Sequence, residues 1–262
     1  NLEDFEYLVV FEIFPEQIPY LARYPKEKLI LFLWEPPSVL PQNYNKNYHD
    51  LFSKIYTWND ALIDQKLYFK FYYPVFKNMI DNPPVYSQKS LSTLVSCNKY
   101  SNYTGELYSE RLNLIYYFEK DTSGDFTLFG RGWPHTLNNY AGAIEKKTEV
   151  LKNFRFAYAY ENVRGIPGYI TEKVFDCFHA GVVPVYWGAP NIHHYIPKGC
   201  YIARSDFANN EELHCFLKNM SEADYNKYIE RIQAFLESPA AHLYSKEHFI
   251  EIFMNLIEQN KK

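Results

Sequence analysis

Short apolar runs alternate along this chain with longer segments whose apolar positions recur every three or four residues. YLVVFEIF (7–14), LILFLW (29–34) and KIYTW (54–58) have the length and continuity of buried strands. A Pro- and Tyr-rich stretch, FYYPVFKNMIDNPPVYSQK (71–89), breaks the pattern. Its Pro83-Pro84 pair and weak periodicity predict a linker or irregular crossing. A second series then begins: strand 91–96, helix 108–118, strands 126–130 and 154–160, helix 170–180, and strands 182–188 and 200–203. From about residue 210 the chain reads as amphipathic helices, NEELHCFLKNM, EADYNKYIERIQAFLES and KEHFIEIFMNLIEQN. Strands alternating with helices predict βαβ units around parallel sheets. The expected organisation is an N-terminal Rossmann-like unit over 1–80, a second over 90–235, and a C-terminal helix over 236–262 packing back across both. There is no internal repeat or low-complexity tract.

Composition narrows the class. At 262 residues and 47% hydrophobic content the chain can build one large core or two modest ones. Its 31 acidic against 27 basic side chains give a net charge of −4, and no basic stripe invites nucleic acid. The 25 Tyr and 20 Phe suit carbohydrate contact and core edges alike. In particular, YFKFYYPVF (68–76) reads as a sugar platform or as inter-domain packing. The cysteines at 97, 177, 200 and 215 have no metal-finger spacing, and reduced, buried thiols are the expectation. No apolar run reaches the roughly 20 residues of a membrane span. The chain opens on Asn1 rather than Met, so an anchor or leader ahead of it is left open.

Ligands of open α/β sheets bind outside the carboxyl ends of the strands. Strand 154–160 delivers Glu161 and Asn162 there, and the following helix opens with Thr171 as N-cap and Glu172-Lys173 in its first turn. A helix N-terminus attracts anions, so a lysine there is mildly unfavourable unless a ligand such as a phosphate lies between them. Arg111 sits at the start of the helix after strand 91–96. Singly, either cation reads as a solvated surface charge. Glu35, on the Pro-fixed turn after strand 29–34, stands where a general base is needed; capping of that turn is the competing reading, and Glu12 and Glu16 are weaker rivals for the base. His193-His194 lack a carboxylate or Cys at ligand spacing and read as a loop at the rim.

Together these blocks resemble the donor-binding signature of the α1,3-fucosyltransferases, glycosyltransferase family 10. The resemblance rests on Tyr160-Glu161-Asn162, Tyr169-Ile170-Thr171-Glu172-Lys173, Gly181-Val182-Val183-Pro184-Val185, Gly188-Ala189-Pro190 and Tyr195-Ile196-Pro197. VSCN (95–98) with Arg111, and FTLFGRG (126–132), are similar more weakly. The resemblance implies a GT-B fold of two Rossmann-like domains facing across a cleft, with acceptor on the first and GDP-fucose on the second. It implies inverting transfer to a GlcNAc- or galactose-containing glycan, such as a lipopolysaccharide chain, without metal or other cofactor. Carried over by position, Arg111 and Lys173 would neutralise the diphosphate and Asn162 would bond it or the fucose. Glu172 and Tyr169 would contact the nucleoside or sugar, Glu161 would shape the fucose pocket, and Glu35 would be the base.

The chain departs from the pattern at Tyr160, at Val163, and in the loop 163–168, where Gly168 stands in place of a frequent Asp. Another nucleotide sugar, or a sugar-nucleotide-binding protein without catalysis, therefore stays open. The cysteine pairs of Golgi relatives and the basic heptad tail of some bacterial ones are missing, and only Lys261-Lys262 end the chain. A bacterial-type cytoplasmic enzyme is the expectation, with peripheral contact to a membrane-borne acceptor left open.

Overall fold

The computed structural model describes residues 5–259; the terminal pair Lys261-Lys262 lies outside them. The N-terminal unit is built on β1 (Leu8–Phe11), α1 (Ile18–Leu21), β2 (Leu29–Leu33), α2 (Lys46–His49), β3 (Lys54–Thr57) and β4 (Tyr68–Lys70). Its four strands are all parallel in the order β1-β2-β3-β4. Every residue of β2 is buried, because both faces of the sheet are covered. Leu29, Leu31 and Leu33 pack with Ile13, Phe52 and Ile55 on one face, and Ile30 and Phe32 with Tyr56 and Phe71 on the other.

The second unit follows with β5 (Ser90–Val95), α3 (Tyr108–Glu119), β6 (Phe126–Phe129), α4 (Lys147–Leu151), β7 (Phe154–Tyr160), α5 (Glu172–His179), β8 (Val183–Trp187) and β9 (Ile202–Ala203). Its parallel sheet runs β6-β5-β7-β8-β9. The chain builds outward from β5 to one side through β6, then returns to the other side with β7. That reversal makes a topological switch point between the carboxyl ends of β5 and β7, where such sheets open a crevice.

The chain ends in α6 (Asn210–Asn219), α7 (Glu222–Leu236), α8 (Pro239–His242) and α9 (Lys246–Gln259). Helices α6 and α7 join the core of the second unit through Leu213, Leu217, Ile232 and Phe235. Helix α9 crosses back to the first unit instead. Its Leu256 is buried there, and Phe253 stacks on Phe32 with centroids 5.5 Å apart. Thus the chain closes on the sheet where it began.

Several elements depart from the periodic reading. Strand β1 stops at Phe11 because Glu12 takes a left-handed backbone, φ +71°. Strand β4 falls just before the stretch read as irregular and, at three residues, is too short to show alternation. The aromatic segment 68–76 is packing: Phe71 and Tyr73 are buried against Trp34, Trp58 and Tyr169. Of the cysteines, Cys177 and Cys200 are buried as expected, whereas Cys97 and Cys215 are exposed; all four are unpaired.

Candidate functional site at the switch point

The crevice at the β5/β7 reversal holds a cavity of about 490 Å³. Ser96 and Cys97 reach it from the end of β5, Gly130 and Arg131 from β6, Asn162 from β7, and Glu172 and Lys173 from the start of α5. Glu35 enters from the opposite unit, at the end of β2. Five of the seven residues expected from sequence, Glu35, Arg111, Asn162, Glu172 and Lys173, therefore line one cavity.

Arg111 is 6% exposed and is aimed at the end of β7. Its Nη2 donates to the carbonyls of Tyr160 and Glu161, both at 2.7 Å, and to Asn162 Oδ1 at 3.2 Å. Its Nη1 donates to Ser96 Oγ at 3.3 Å, and the guanidinium lies 4.9 Å from the Tyr108 ring centroid. Among the described residues it makes no ion pair with a carboxylate. Burial pulls its pKa down, with Tyr108 and Glu161 opposing. A guanidinium stays charged in proteins, so this is a buried cation satisfied by neutral acceptors alone.

Glu161 and Tyr169 do not line the cavity; they brace its wall from behind. Glu161 is wholly buried and accepts from Thr171 N at 2.9 Å and Thr171 Oγ1 at 2.7 Å, with Lys173 Nζ 3.2 Å away. Thr171 is the N-cap of α5, accepting from Lys173 N at 3.5 Å. Gly188 is needed here, because a Cβ on it would fall 2.5 Å from Glu161 Cγ. Tyr169 is buried against Trp58, centroids 4.5 Å apart, and its hydroxyl accepts from Asn162 Nδ2 at 3.4 Å. From behind the wall, Glu161 supports Lys173 and Tyr169 supports Asn162.

The charges form a graded set. Burial draws Lys173 down, but Glu161 and Glu172 outweigh it and its pKa is raised. Burial would raise Glu172, yet Lys173 and Lys147 hold it down at about 2. Glu35 is raised, first by burial, with Lys173 pulling down and Glu172 pushing up. Its side chain makes no hydrogen bond among the described residues, whereas its backbone is pinned. Glu35 N donates to Glu12 Oε1 at 2.7 Å, and Glu35 O accepts from Tyr44 OH at 3.0 Å. Sequence reasoning missed Lys99, Arg131 and Lys147 in the same cavity. The only signal for Lys99 and Arg131 was their place after strand ends, and for Lys147 its place at the start of α4, which surface cations share.

The loop 163–168 meets the first unit. Gly168, at φ +81°, leaves no room for a side chain: a Cβ would lie 2.4 Å from Trp58 O and 2.7 Å from Asp60 Oδ1. The carboxylate of Asp60 thus fills the space that an Asp at 168 would enter. Asp60 accepts from Lys70 Nζ at 2.6 Å, Tyr195 OH at 2.7 Å and Asn191 Nδ2 at 2.8 Å. His193 lies apart, on a wider groove beyond Gly188 that also holds Arg164 and Trp187. Asp121, Asp125 and His214 approach one another at the opposite edge of the sheet, before β6. There Asp125 is already bonded by His214 at 3.0 Å and Lys218 at 2.7 Å.

Two parallel-sheet units facing each other across this crevice, with the last helix returning to the first, define a GT-B glycosyltransferase fold. Solved structures bear this out over nearly the whole chain. A crystal structure of an alpha1,3-fucosyltransferase superimposes with a TM-score of 0.66 at 14% identity, over 98% of this chain and 80% of that one. A DNA-modifying beta-glucosyltransferase gives 0.62 at 13% identity, over 98% and 83%. The family is narrower than the fold. The model for glycosyltransferase family 10 (fucosyltransferase), C-terminal part, matches residues 89–254, more than half of the sequence, and the chain belongs to that family.

Curated relatives include an alpha-(1,3)-fucosyltransferase of Helicobacter pylori, 28% identical over 108 residues, covering 41% of this chain and 22% of the relative. They also include the GDP-fucose protein O-fucosyltransferase 3 of Mus musculus, 34% identical over 121 residues, covering 45% and 25%. The chain thus matches about a quarter of the length of these relatives.

Proposed function

We propose that this chain is an inverting fucosyltransferase that moves L-fucose from GDP-fucose to a hydroxyl of a GlcNAc- or galactose-containing glycan, α1,3-linked. The observation that carries the reading is Arg111, a buried cation that makes no ion pair with a carboxylate among the described residues, beside Lys173 and the N-terminus of α5 at the switch point. A diphosphate supplies the missing anion. Among the alpha1,3-fucosyltransferase structures of this fold is one with GDP-fucose, at a TM-score of 0.58 and 16% identity, over 91% of this chain and 80% of that one.

In this reading Glu35 takes the proton of the acceptor hydroxyl as its oxygen attacks the anomeric carbon from the face opposite the diphosphate. The bond from that carbon to the β-phosphate oxygen breaks, and GDP leaves with the electron pair. Arg111, Lys173 and the free N–H groups of α5 receive the developing charge, so no metal is required. Asn162 bonds the phosphate or fucose, and Glu172 contacts the nucleoside or sugar. The four unpaired cysteines fit a reducing compartment and hence a cytoplasmic enzyme. Among the described residues no helix is long and apolar enough to cross a membrane. A protein hydroxyl is the second acceptor class, favoured by the relatives named as protein O-fucosyltransferases.

The test is calorimetric titration of GDP into wild type and Lys173→Ala, both in EDTA. The expected result is metal-free binding that weakens about tenfold or more in the variant, about 1.4 kcal/mol. Absence of GDP binding in folded protein overturns the donor assignment, and binding that requires a divalent ion overturns the metal-free mechanism.

A further inference from the structure

Glu12 stands at the end of β1, beside the end of β2 that carries Glu35. It is one of three non-glycine residues with positive φ among those described, with Gln65 and Asn82. The other two are exposed turn residues, where a left-handed backbone is ordinary. A glutamate in that region is strained and persists only where its surroundings over-determine it. Here they do. Glu12 N donates to Phe32 O at 3.1 Å, which fixes the backbone beside β2. Its Oε1 accepts from Glu35 N at 2.7 Å, and its Oε2 from Asn43 Nδ2. Asn43 is wholly buried and cannot turn its amide without cost, because its Oδ1 accepts from Ile13 N at 2.7 Å. Its carbonyl in turn meets His49 Nε2 at 2.6 Å.

The peptide that Glu12 holds is fastened from its other side as well. Trp34 O accepts from Trp58 Nε1 at 2.9 Å and from Tyr73 OH, and Tyr44 OH reaches Glu35 O. Trp34 O, Glu35 N and Glu35 O are thus held by side chains, while the Glu35 carboxylate is left to the cavity. Of these anchors Glu12 alone can bring a charge. A plain strand end needs neither a strained backbone nor a second carboxyl beside the first, and two acids so close repel one another.

We propose that Glu12 is a positioning residue for Glu35, holding the Glu35 backbone so that its carboxylate meets the acceptor hydroxyl in the reactive direction. The inference rests on the reading of Glu35 as the base.

The test measures GDP release from GDP-fucose, with N-acetyllactosamine as acceptor, for wild type, Glu12→Ala, Glu12→Gln and Glu35→Gln. Glu12→Ala is expected to lower kcat about ten- to a hundredfold while KM for GDP-fucose and GDP affinity stay within about twofold. Glu12→Gln, which keeps an oxygen for the Glu35 N–H, should recover part of that loss. Hydrogen exchange at the Glu35 amide supplies a readout that needs no acceptor: it should quicken about tenfold or more in Glu12→Ala while β2 keeps its protection. Unchanged exchange, unchanged kcat, or a fall in kcat that merely follows weakened GDP binding each overturns the proposal. If Glu35→Gln retains full turnover, the base reading fails first; if it is inactive while Glu12→Ala is not, only the positioning role fails.

Discussion

At the scale of single residues, Glu35 shows how position sets chemistry. A carboxylate on a Pro-fixed turn is unremarkable until burial lifts its pKa and Lys173, from a unit well over a hundred residues away, pulls back against that lift. In the proposed role of base Glu35 works only when deprotonated, so activity should rise with pH through the Glu35 pKa. Because that pKa is raised, the acid limb should lie above the ordinary carboxylate value of about 4.3. Lys173→Ala removes the strongest opposing charge and should move the limb to still higher pH. Glu35→Gln should abolish the limb and lower kcat by about a hundredfold or more, with GDP affinity kept. A limb unmoved by Lys173→Ala would mean that another group titrates. Glu35 and Lys173 were legible because residue type and place after a strand or cap coincide. Lys99 and Lys147 were not, since nothing local distinguishes a lysine on a cavity wall from one in water.

At the scale of elements, α5 ties the site to the core. Thr171 caps it, Lys173 projects from its first turn, and Val174, Phe175 and Phe178 bury its other face. Thr171→Ala removes the cap and leaves the buried Glu161 short of one donor. The expected loss is about 2–3 kcal/mol of stability, seen as a lower urea midpoint with unchanged slope. Thr171→Ser, which keeps the hydroxyl, should lose far less, and a similar loss in both would refute the capping account. The periodic pattern predicted α5 to within two residues, and β7 was read over its whole length, 154–160. It overran β1, because hydrophobicity continues through Ile13 while the backbone turns at Glu12. Helices α1, α2 and α4 escaped it, being too short at four or five residues to display a 3.6-residue period.

At the scale of the whole molecule, the two units are joined by Asp60 as well as by α9. Burial works against the Asp60 carboxylate, but bonds from Lys70, Tyr195 and Asn191 prevail and its pKa is lowered. A depressed folded-state pKa gives stability that is present above the unfolded value, about 3.9, and is lost as pH falls through the folded one. Asp60→Asn should therefore cost about 1–2 kcal/mol near neutrality, after allowance for partial exposure. The gap to wild type should close on acidification below about pH 4. A constant gap across that range would assign the loss to packing instead.

What the sequence by itself determined is local: which segments are strands and helices, which of their faces turn inward, and that a cationic, anion-seeking helix start follows an Asn-bearing strand end. Those features are written in short apolar runs, in the 3.6-residue period and in cap chemistry, which neighbouring residues decide among themselves. Only the tertiary structure decided that Glu35 faces Lys173, that Glu12 holds Glu35, and that Asp60 fills the space beside Gly168. Such pairings depend on strand order and on how two sheets face each other. A hydrophobic period records which face is buried, and it is silent on which charge waits on the other side.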